Sequence, residues 1–428
     1  MCDMKDSGVE WIGNCHASWQ IQTIGSLFKV RNEKVNDTDY PPLSVTKNGI
    51  VPQMENVAKS DANDNRKMVL ADDFVINSRS DRKQSCGVSL LDGSVSLINT
   101  VLYPVKGAPI VPAYMNYLLK NYGFAEEFYR WGHGIVADLW TTRWQEMKNI
   151  LLPMPTMVEQ QQIIEILDKK MNDVDRLIGN VQTQIEKLKA YKQSLITEVV
   201  TKGLDPTMPM KGSGVEWIGE IPEYWSVVPL KSIFSFGKGL PITKENLVEE
   251  GIPVISYGQI HAKWNTGVTT HKDLLRYVNE SYLESNQNAL VKKGDLIMAD
   301  TSEDREGCGN CAYIDTDETV FAGYHTIILN ALNSGNNKYF AYLFLTDNWR
   351  SQIRKNVSGV KLFSISRRIL GCVSVLVPDN TEDIVDYLDA KCEYIDRLIA
   401  IKQSKIEKLE QYKRSLIYEY VTGKKEVS

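Results

Sequence analysis

The sequence has no long apolar run and few cysteines. No stretch approaches the roughly 20 consecutive apolar residues that a transmembrane helix needs. Residues 1–6 are polar, which argues against a secretory signal peptide. The 7 cysteines are spread over 428 residues, unlike the disulfide framework of a small secreted protein. We therefore expect a cytoplasmic protein with no membrane attachment and with several domains, since this length exceeds one compact core.

An excess of positive charge is also lacking. Lys and Arg total 49, Asp and Glu total 54, and the formal net charge is -5. This balance excludes a chain that binds nucleic acid through overall positive charge. It still allows a local basic groove, because a total does not report where the charges lie.

Recognisable catalytic motifs are missing as well. The sequence has no Gly-x-x-x-x-Gly-Lys-Ser/Thr phosphate loop and none of the motifs of an amino-methyltransferase. Residues 308–311, Cys-Gly-Asn-Cys, have the spacing of half a zinc site, but a closed site needs four ligands and the nearest candidate is His325. We interpret this segment as a hairpin with two reduced thiols. The histidines form no recognisable cluster, so we predict no catalytic residue and no metal site.

Two segments of the chain occur twice. Residues 4–28 match 210–234 and share the run Ser-Gly-Val-Glu-Trp-Ile-Gly. Residues 167–201 match 388–422 and share Asp-Arg-Leu-Ile, Ile-Glu-Lys-Leu and Ser-Leu-Ile. A repeat of this extent indicates a duplication, which decides the architecture before any single motif does.

The stretches between the repeats, about 30–150 and 235–375, barely resemble each other. An enzyme that had simply been duplicated would be expected to keep its chemical centre in both copies. A retained frame with diverged middles instead predicts two recognition modules on one scaffold.

The second repeat has the pattern of a coiled coil. Apolar residues recur at alternating spacings of four and three over nearly five heptads, which predicts a helix over 163–200 that ends at Gly203. Lys192 interrupts this seam, and Lys402 and Lys413 interrupt that of the second copy. We expect the two helices to pack antiparallel. A coiled coil that serves only for dimerisation stays open as an alternative.

The diverged middles are predicted to be mixed α/β modules. Alternating apolar patterns bounded by turn residues predict strands, and an aromatic helical stretch follows in each module. The predicted strands are 69–76, 94–103 and 150–153 in the first module and 293–298, 325–329 and 373–378 in the second, and the helical stretches are 113–130 and 338–354. The predicted fold class is α+β: two mixed modules separated by two long antiparallel coiled-coil helices, with a pseudo-two-fold internal repeat.

A polar loop of mixed charge follows a hydrophobic strand at corresponding places in the two modules. We call these segments loop A (residues 77–84) and loop B (residues 300–305). Arg, Asn, Gln and carboxylate side chains are those that read base edges in DNA through paired hydrogen bonds. The alternative interpretation is a solvated surface loop with no role in recognition. Because the two loops have matched placements, we give the two interpretations about equal weight.

These loops and nearby cations are the predicted DNA-binding residues. Arg143, Lys361, Arg367 and Arg368 are predicted to hold phosphates and set the register on the duplex. The predicted reading residues are Arg79, Asp81, Arg82, Lys83 and Gln84 in loop A, and Thr301, Ser302, Glu303, Asp304 and Arg305 in loop B.

The sequence resembles the specificity subunits of type I restriction–modification systems. The resemblance is carried by Gly-Val-Glu-Trp-Ile-Gly at 8–13 and 214–219, by Leu-Pro-Met-Pro-Thr-Met-Val-Glu-Gln-Gln-Gln-Ile at 152–163, and by the two repeated helices. It implies two target-recognition domains, each reading one half of a split DNA site, with helices that set the spacer. The corresponding domains are residues 1–152 and 210–376, with the long helices in 153–209 and 377–428.

The resemblance also implies partners. They are double-stranded DNA, two modification subunits that carry S-adenosylmethionine and methylate adenine, and a restriction subunit that uses ATP and Mg²⁺. No cofactor is expected on this chain itself. Two other interpretations stay open: a stand-alone DNA-modifying enzyme with an unrecognised centre, and a coiled-coil scaffold that does not read DNA.

Overall fold

The computed structural model describes residues 3–53, 65–79, 82–134, 140–332, 335–359 and 361–426. The chain divides into two compact units. Unit 1 comprises Met1–Gln182 and Lys402–Ser428, and unit 2 comprises Thr183–Ile401. Among the residues described, no helix combines the length and apolar character that crossing a bilayer requires.

Short strands and helices precede the first long helix in unit 1. In chain order they are β1 (Met4–Asp6), β2 (Asn14–His16), β3 (Gln20–Thr23), α1 (Ile24–Leu27), β4 (Phe28–Val30), β5 (Lys34–Val35), β6 (Leu43–Thr46), β7 (Gly49–Pro52), β8 (Arg66–Val69), β9 (Phe74–Asn77), β10 (Cys86–Val88), β11 (Gly93–Val95), β12 (Asn99–Pro104), α2 (Pro112–Lys120), α3 (Tyr122–Arg130), α4 (Trp144–Met147) and β13 (Leu151–Met154).

The first long helix is α5 (Met157–Lys202) and the second is α11 (Glu382–Val421). The remaining elements lie between these two helices in the sequence. These are β14 (Met210–Gly212), β15 (Glu220–Pro222), β16 (Ser226–Pro229), β17 (Phe234–Lys238), β18 (Leu247–Val248), β19 (Ile252–Ile255), α6 (Tyr257–Ile260), β20 (Arg276–Val278), α7 (Tyr282–Ser285), β21 (Leu290–Val291), β22 (Leu296–Ala299), β23 (Thr301–Ser302), β24 (Cys311–Tyr313), β25 (Val320–Ala322), β26 (Thr326–Ala331), α8 (Lys338–Phe344), α9 (Asp347–Arg354), β27 (Phe363–Ser364), α10 (Arg367–Cys372) and β28 (Ser374–Val377).

Both units contain the same four-stranded antiparallel sheet. Its strand order is β10-β9-β12-β4 in unit 1 and β24-β22-β26-β17 in unit 2, which is the same order relative to the chain. A second sheet differs: it has three strands, β11-β8-β5, in unit 1 and five, β18-β20-β19-β25-β21, in unit 2. The predicted α+β class and internal repeat are therefore confirmed, and the divergence of the middles includes their secondary structure.

Two predicted strands of unit 1 were wrong in extent, because each contains a turn. The predicted strand 69–76 is divided between β8 and β9 by a turn in which Asp72 has a φ of 70°. The predicted strand 94–103 is divided between β11 and β12, where the Asn99 backbone N–H donates to the Ser96 carbonyl oxygen. Alternating apolar residues indicate which side chains face the core. The alternation continues through a tight turn when the core surrounds both strands, so it does not reveal the turn.

Each predicted helical stretch is in fact two helices. In unit 1 the Asn121 side chain accepts from the Phe124 backbone N–H (3.0 Å) and begins α3. In unit 2 the Thr346 hydroxyl accepts from the Trp349 backbone N–H (3.3 Å) and begins α9. Asn and Thr are preferred residues at this position of a helix. The predicted single helices 113–130 and 338–354 are corrected accordingly.

The two long helices are confirmed, and they run antiparallel in each unit. In unit 1 the start of α5 and the chain after α11 meet at Trp19, whose indole donates to Glu159 (3.1 Å) and lies against Gly423. In unit 2 the end of α5 and the start of α11 both bond to α8, through Tyr339 and Tyr342 respectively. Helix α5 ends before Gly203, whose φ of 79° favours glycine, as predicted.

Two of the lysines that interrupt the apolar seam pair with the opposite helix. Lys192 Nζ lies 2.6 Å from Asp396 Oδ2 in unit 2, and Lys413 Nζ lies 2.5 Å from Asp175 Oδ1 in unit 1. Each aspartate is the first residue of a repeated Asp-Arg-Leu-Ile run. Because both aspartates are about half exposed, each pair contributes roughly 0–1 kcal/mol and mainly favours this helix register.

Two tyrosines in each unit attach its sheet module to both long helices. In unit 1, Tyr117 OH donates to Asp168 of α5 (2.5 Å) and Tyr114 OH donates to the Val421 carbonyl oxygen of α11 (3.4 Å). In unit 2, Tyr342 OH donates to Asp389 of α11 (2.6 Å), and the buried Tyr339 OH donates to the carbonyl oxygen at the end of α5 (2.8 Å). Each module therefore bonds to the helix that follows it and to the terminal turn of the other.

Candidate functional site

Loops A and B occupy the same place in the two sheets. Loop A follows β9 and leads into β10, and loop B follows β22 and leads into β24. In both units the loop therefore connects an inner strand of the four-stranded sheet to the edge strand beside it. The sequence-based matching of the two loops is consistent with this topology.

Loop A is anchored by its backbone and exposes its arginines. The Ser78 hydroxyl bonds to Thr100 (2.9 Å), and the Ser78 carbonyl oxygen accepts from the Thr142 N–H (3.1 Å). Arg79 and Arg82 are exposed. Asp81 lies outside the described residues.

Two further predicted residues of loop A pack against α3. Lys83 Nζ lies 2.5 Å from Glu126 Oε1 and 4.9 Å from the centre of the Tyr129 ring. Gln84 is half-buried and has a φ of 63°, an uncommon conformation for a residue with a side chain. The cavity beneath them measures about 20 Å³, whereas small-molecule sites start at roughly 300 Å³. The described residues of loop A thus present a surface above a cavity smaller than a typical small-molecule site.

Loop B has a structured first half and an exposed second half. Thr301 and Ser302 form β23, which pairs with β27. Ser302 is only 3% exposed and so does not belong to the exposed set, whereas Glu303, Asp304 and Arg305 are exposed. The Arg305 guanidinium lies 5.7 Å from the centre of the Phe363 ring of β27.

A segment that the sequence analysis missed supports both loops. In unit 1, Thr141 bridges to Arg79 on one side and to His133 on the other. In unit 2, Ser364 bridges to Thr301 on one side and to Ser358 on the other. The missed segments follow α3 and α9 at corresponding places, and their short bridges have no periodic apolar signal to detect.

These segments carry some of the predicted phosphate-binding cations toward the loops. Arg143 is exposed and lies two residues after Thr141, and Lys361 is exposed two residues before β27. Arg367 and Arg368 are exposed at the start of α10, and Arg367 Nη1 donates to the carbonyl oxygen of Phe236 in β17 (3.5 Å). Arg143 and Lys361 thus lie two residues along the chain from residues that pair with loops A and B, while Arg367 bonds to β17.

Two histidines lie beside loop B, a proximity that the sequence did not indicate. His261 Nε2 lies 2.8 Å from the Thr301 carbonyl oxygen, and His325 Nδ1 lies 3.4 Å from both the Thr301 hydroxyl and Asp300 Oδ1. The Tyr257 ring lies edge-on to both imidazoles, at 6.3 and 5.3 Å. His261 and His325 lie 40 and 24 positions from Thr301 along the chain, so sequence spacing could not group them.

The Cys-Gly-Asn-Cys segment carries two free thiols in the structure. Cys308 Sγ lies 3.6 Å from the Asp304 carbonyl oxygen, and Cys311 lies in β24 opposite Met298. Within the described part of the chain, no group of three or more His, Cys, Asp or Glu side chains is placed to hold a metal ion. Burial raises the pKa of Cys311 to about 12, and it also raises that of Cys308.

We expect alkylation to separate these cysteines by their burial. The thiolate is the reactive form, so Cys86 and Cys311, whose pKa values burial raises to about 12, should stay unlabelled by iodoacetamide in the folded protein at pH 8. The exposed Cys372 should be labelled within minutes. Mass spectrometry of the peptides measures this, and guanidinium-unfolded protein, in which all should react, is the control. Labelling of Cys311 as fast as Cys372 would contradict the buried position.

The arrangement as a whole provides surfaces for polar recognition. Each unit exposes arginines on a loop at the same end of an equivalent sheet, but the two loops carry different side chains. The described residues therefore form two related modules whose exposed polar loops differ.

Comparison with known proteins shows which proteins this chain is similar to. Residues 222–411 match the type I restriction modification DNA specificity domain. The type I restriction enzyme MjaVIII specificity subunit of Methanocaldococcus jannaschii is 26% identical over 285 residues, which cover 65% of this chain and 62% of that relative, less than two thirds of its length. A second protein of that organism, proposed to be the MjaX specificity subunit, is 25% identical over 96% of this chain and 95% of its own.

Solved structures share the fold along nearly the whole chain. A chain from a study of complex assembly and conformational transition of the type I R-M system superposes with a TM-score of 0.69 at 13% identity, covering 95% of this chain and 98% of its own. The HsdS subunit from Thermoanaerobacter tengcongensis gives 0.51 at 14% identity, covering 96% and 98%. Residues 222–411 match this domain and curated specificity subunits match further parts of the chain, so the predicted resemblance to type I specificity subunits is confirmed.

Proposed function

We propose that this chain is the DNA-sequence specificity subunit of a type I restriction–modification complex, in which each unit reads one half of a bipartite site. The observation that carries the proposal is the presence of the same four-stranded sheet in both units with dissimilar exposed loops at the same position. Two copies of one scaffold that differ at their exposed loops are suited to recognising two different short DNA sequences.

The side chains of the loops match the chemistry of base recognition. Arg pairs with guanine, Gln with adenine and carboxylates with the amino group of cytosine in the major groove. Loop A offers Arg79 and Arg82, whereas loop B offers Arg305 beside Glu303 and Asp304. With a net charge of -5 the chain alone should bind DNA weakly, so specificity would be expressed once partner subunits hold the duplex.

The chemistry in this proposal belongs to partner subunits. Two modification subunits would bring S-adenosylmethionine and methylate adenine, and a restriction subunit would bring ATP and Mg²⁺. The reciprocal tyrosine contacts give the two units equivalent attachments to the helices, which suits two copies of one partner. The complex would work in the cytoplasm, where it meets chromosomal DNA.

Methylation mapping tests this function. Cells that express the chain with its modification subunit should acquire methylated adenines in one bipartite motif, and cells without the chain should not. Long-read sequencing that detects methylated adenine measures the motif. A modification pattern that is the same with and without the chain would refute the proposal.

The enzymatic alternative needs a separate measurement. We expect purified chain, incubated with labelled S-adenosylmethionine and DNA, to transfer no methyl group until the modification subunit is added. Transfer by the chain alone would support a stand-alone enzyme. Full and sequence-specific methylation by the partner without this chain would support a scaffold that does not read DNA.

A further inference from the structure

The turn before β26 places two aromatic side chains beside loop B. Residues 323–325, Gly-Tyr-His, join β25 to β26. The Asp300 backbone N–H donates to the His325 carbonyl oxygen (3.0 Å), so the turn is bonded directly to the start of loop B. His325 has a side chain that is 58% exposed, whereas Tyr324 is half-buried and burial raises its pKa.

His325 is held in a conformation that most residues avoid. Its φ is 54°, in the left-handed region, where a residue with a side chain is uncommon. Close packing around the turn leaves little choice: a Cβ on Gly323 would lie 2.0 Å from Ser256 Oγ. Strained residues of this kind persist where the surrounding structure holds them, and they are concentrated at functional sites.

The neighbours of His325 orient its ring. Nδ1 faces Asp300 Oδ1 and the Thr301 hydroxyl, each at 3.4 Å, while the Tyr257 and Tyr324 rings lie edge-on at 5.3 and 6.0 Å. A carboxylate beside Nδ1 favours the tautomer with the proton on that nitrogen. Nε2 is then directed away from Asp300 with a lone pair that can accept a hydrogen bond.

The corresponding turn of unit 1 has different chemistry. It joins β11 to β12 and carries Leu97 and Ile98, which are 40% and 41% exposed. It also lies beside its loop, because Asn99 of β12 pairs with Asn77 at the start of loop A. The sheet is thus retained while the exposed turn residues change from aliphatic to imidazole and phenol, as the loops change.

We propose that His325 is a specificity-determining residue of unit 2, outside the predicted loop, which accepts a hydrogen bond from the amino group of an adenine or cytosine base. This inference rests on the proposed function. Adenine N6 and cytosine N4 are the hydrogen-bond donors that the major groove presents, so a fixed acceptor at Nε2 selects those bases. A rigidly held acceptor loses little freedom on binding, which favours discrimination at one position.

The test compares modified motifs in cells that carry the modification subunit with wild-type chain, His325→Ala or His325→Gly. Gly adopts the left-handed conformation freely and has no side-chain acceptor, so it keeps the turn if Ala disturbs it. We expect discrimination at one position of one half-site to fall about ten-fold or more in both variants, with the other half-site unchanged. Unchanged methylation at the other half-site would also show that the complex has assembled.

A matched control is His271→Ala. His271 is an exposed histidine of the same unit that pairs with Asp273 (3.2 Å). The backbone N–H of its neighbour Thr270 donates to Asp315, which follows the end of β24 opposite to loop B. This variant should leave the motif unchanged.

Three outcomes would overturn the inference. An unchanged motif in both His325 variants, or a motif changed by His271→Ala to the same extent, would show that His325 does not select a base. A uniform loss of methylation at all sequences, with a weaker salt dependence of binding, would show a phosphate contact instead. Absence of any motif with the wild-type chain would instead refute the proposed function itself.

Discussion

Replacing Arg305 with Ala is expected to relax the base preference at one position of the half-site that unit 2 reads. Arg305 is the exposed arginine of loop B, and its guanidinium lies over the Phe363 ring, which limits the directions that its donors take. A bidentate contact of Arg with guanine contributes about 1–3 kcal/mol of discrimination. We therefore expect the preference at that position to fall by about five- to one-hundred-fold, as measured from methylated-adenine motifs.

The other half-site provides the internal control for this variant. Arg79→Ala in loop A should change that half and leave the half read by unit 2 intact, because the two loops lie on different sheets. Arg276→Ala is the matched surface control in unit 2, since Arg276 is exposed on β20 and bonds to the carbonyl oxygens of Asp273 and Leu275. If both loop variants leave the motif unchanged, the loops do not read the bases.

Gly239→Ala is expected to destabilise unit 2 by about 2–3 kcal/mol. A Cβ at this position would lie 2.0 Å from the Gly323 carbonyl oxygen and 2.3 Å from Thr326 Oγ1. The first of these is a backbone atom in the turn beside loop B, so the segment that follows β17 would have to move. For a unit of this size, the loss corresponds to a melting temperature lower by about 5–10 °C.

Hydrogen exchange followed by mass spectrometry assigns the loss to a unit. We expect faster exchange in β22, β25 and β26 and unchanged exchange in the sheet of unit 1. Gly258→Ala is the control, because Gly258 lies in α6 with no atom within 4 Å of its added Cβ. It should be neutral or slightly stabilising, since Ala is a better helix former. Equal exchange rates in the Gly239→Ala and Gly258→Ala variants would show that unit 2 accommodates a Cβ at position 239 without loss of stability.

Periodic local patterns predicted the two long helices of this fold well. The heptad seam of α5 and α11 needs no knowledge of distant residues, because side chains three and four positions apart share a helix face. The lysines in the seam were also visible in the sequence. Their partners, Asp175 and Asp396, became evident only from the antiparallel register of the two helices.

The β-rich modules were predicted less completely. The positions of apolar residues were correct, but turns at Asp72 and Ser96 divide two of the predicted strands. A turn of this kind depends on hydrogen bonds that close only when the neighbouring strands are paired. The sequence alone contains the residues of such a turn but not the register that forms it.

For the candidate site, the sequence by itself determined the duplication, the two long helices and the pair of polar loops. Tertiary structure decided which of those loop residues are exposed, as the burial of Ser302 shows, and that His261 and His325 meet at Thr301. The physical reason is distance along the chain. A helix seam is a local pattern, and a repeat is found by comparing two stretches of the same sequence. Burial and side-chain clusters instead depend on strand pairing between residues far apart in sequence.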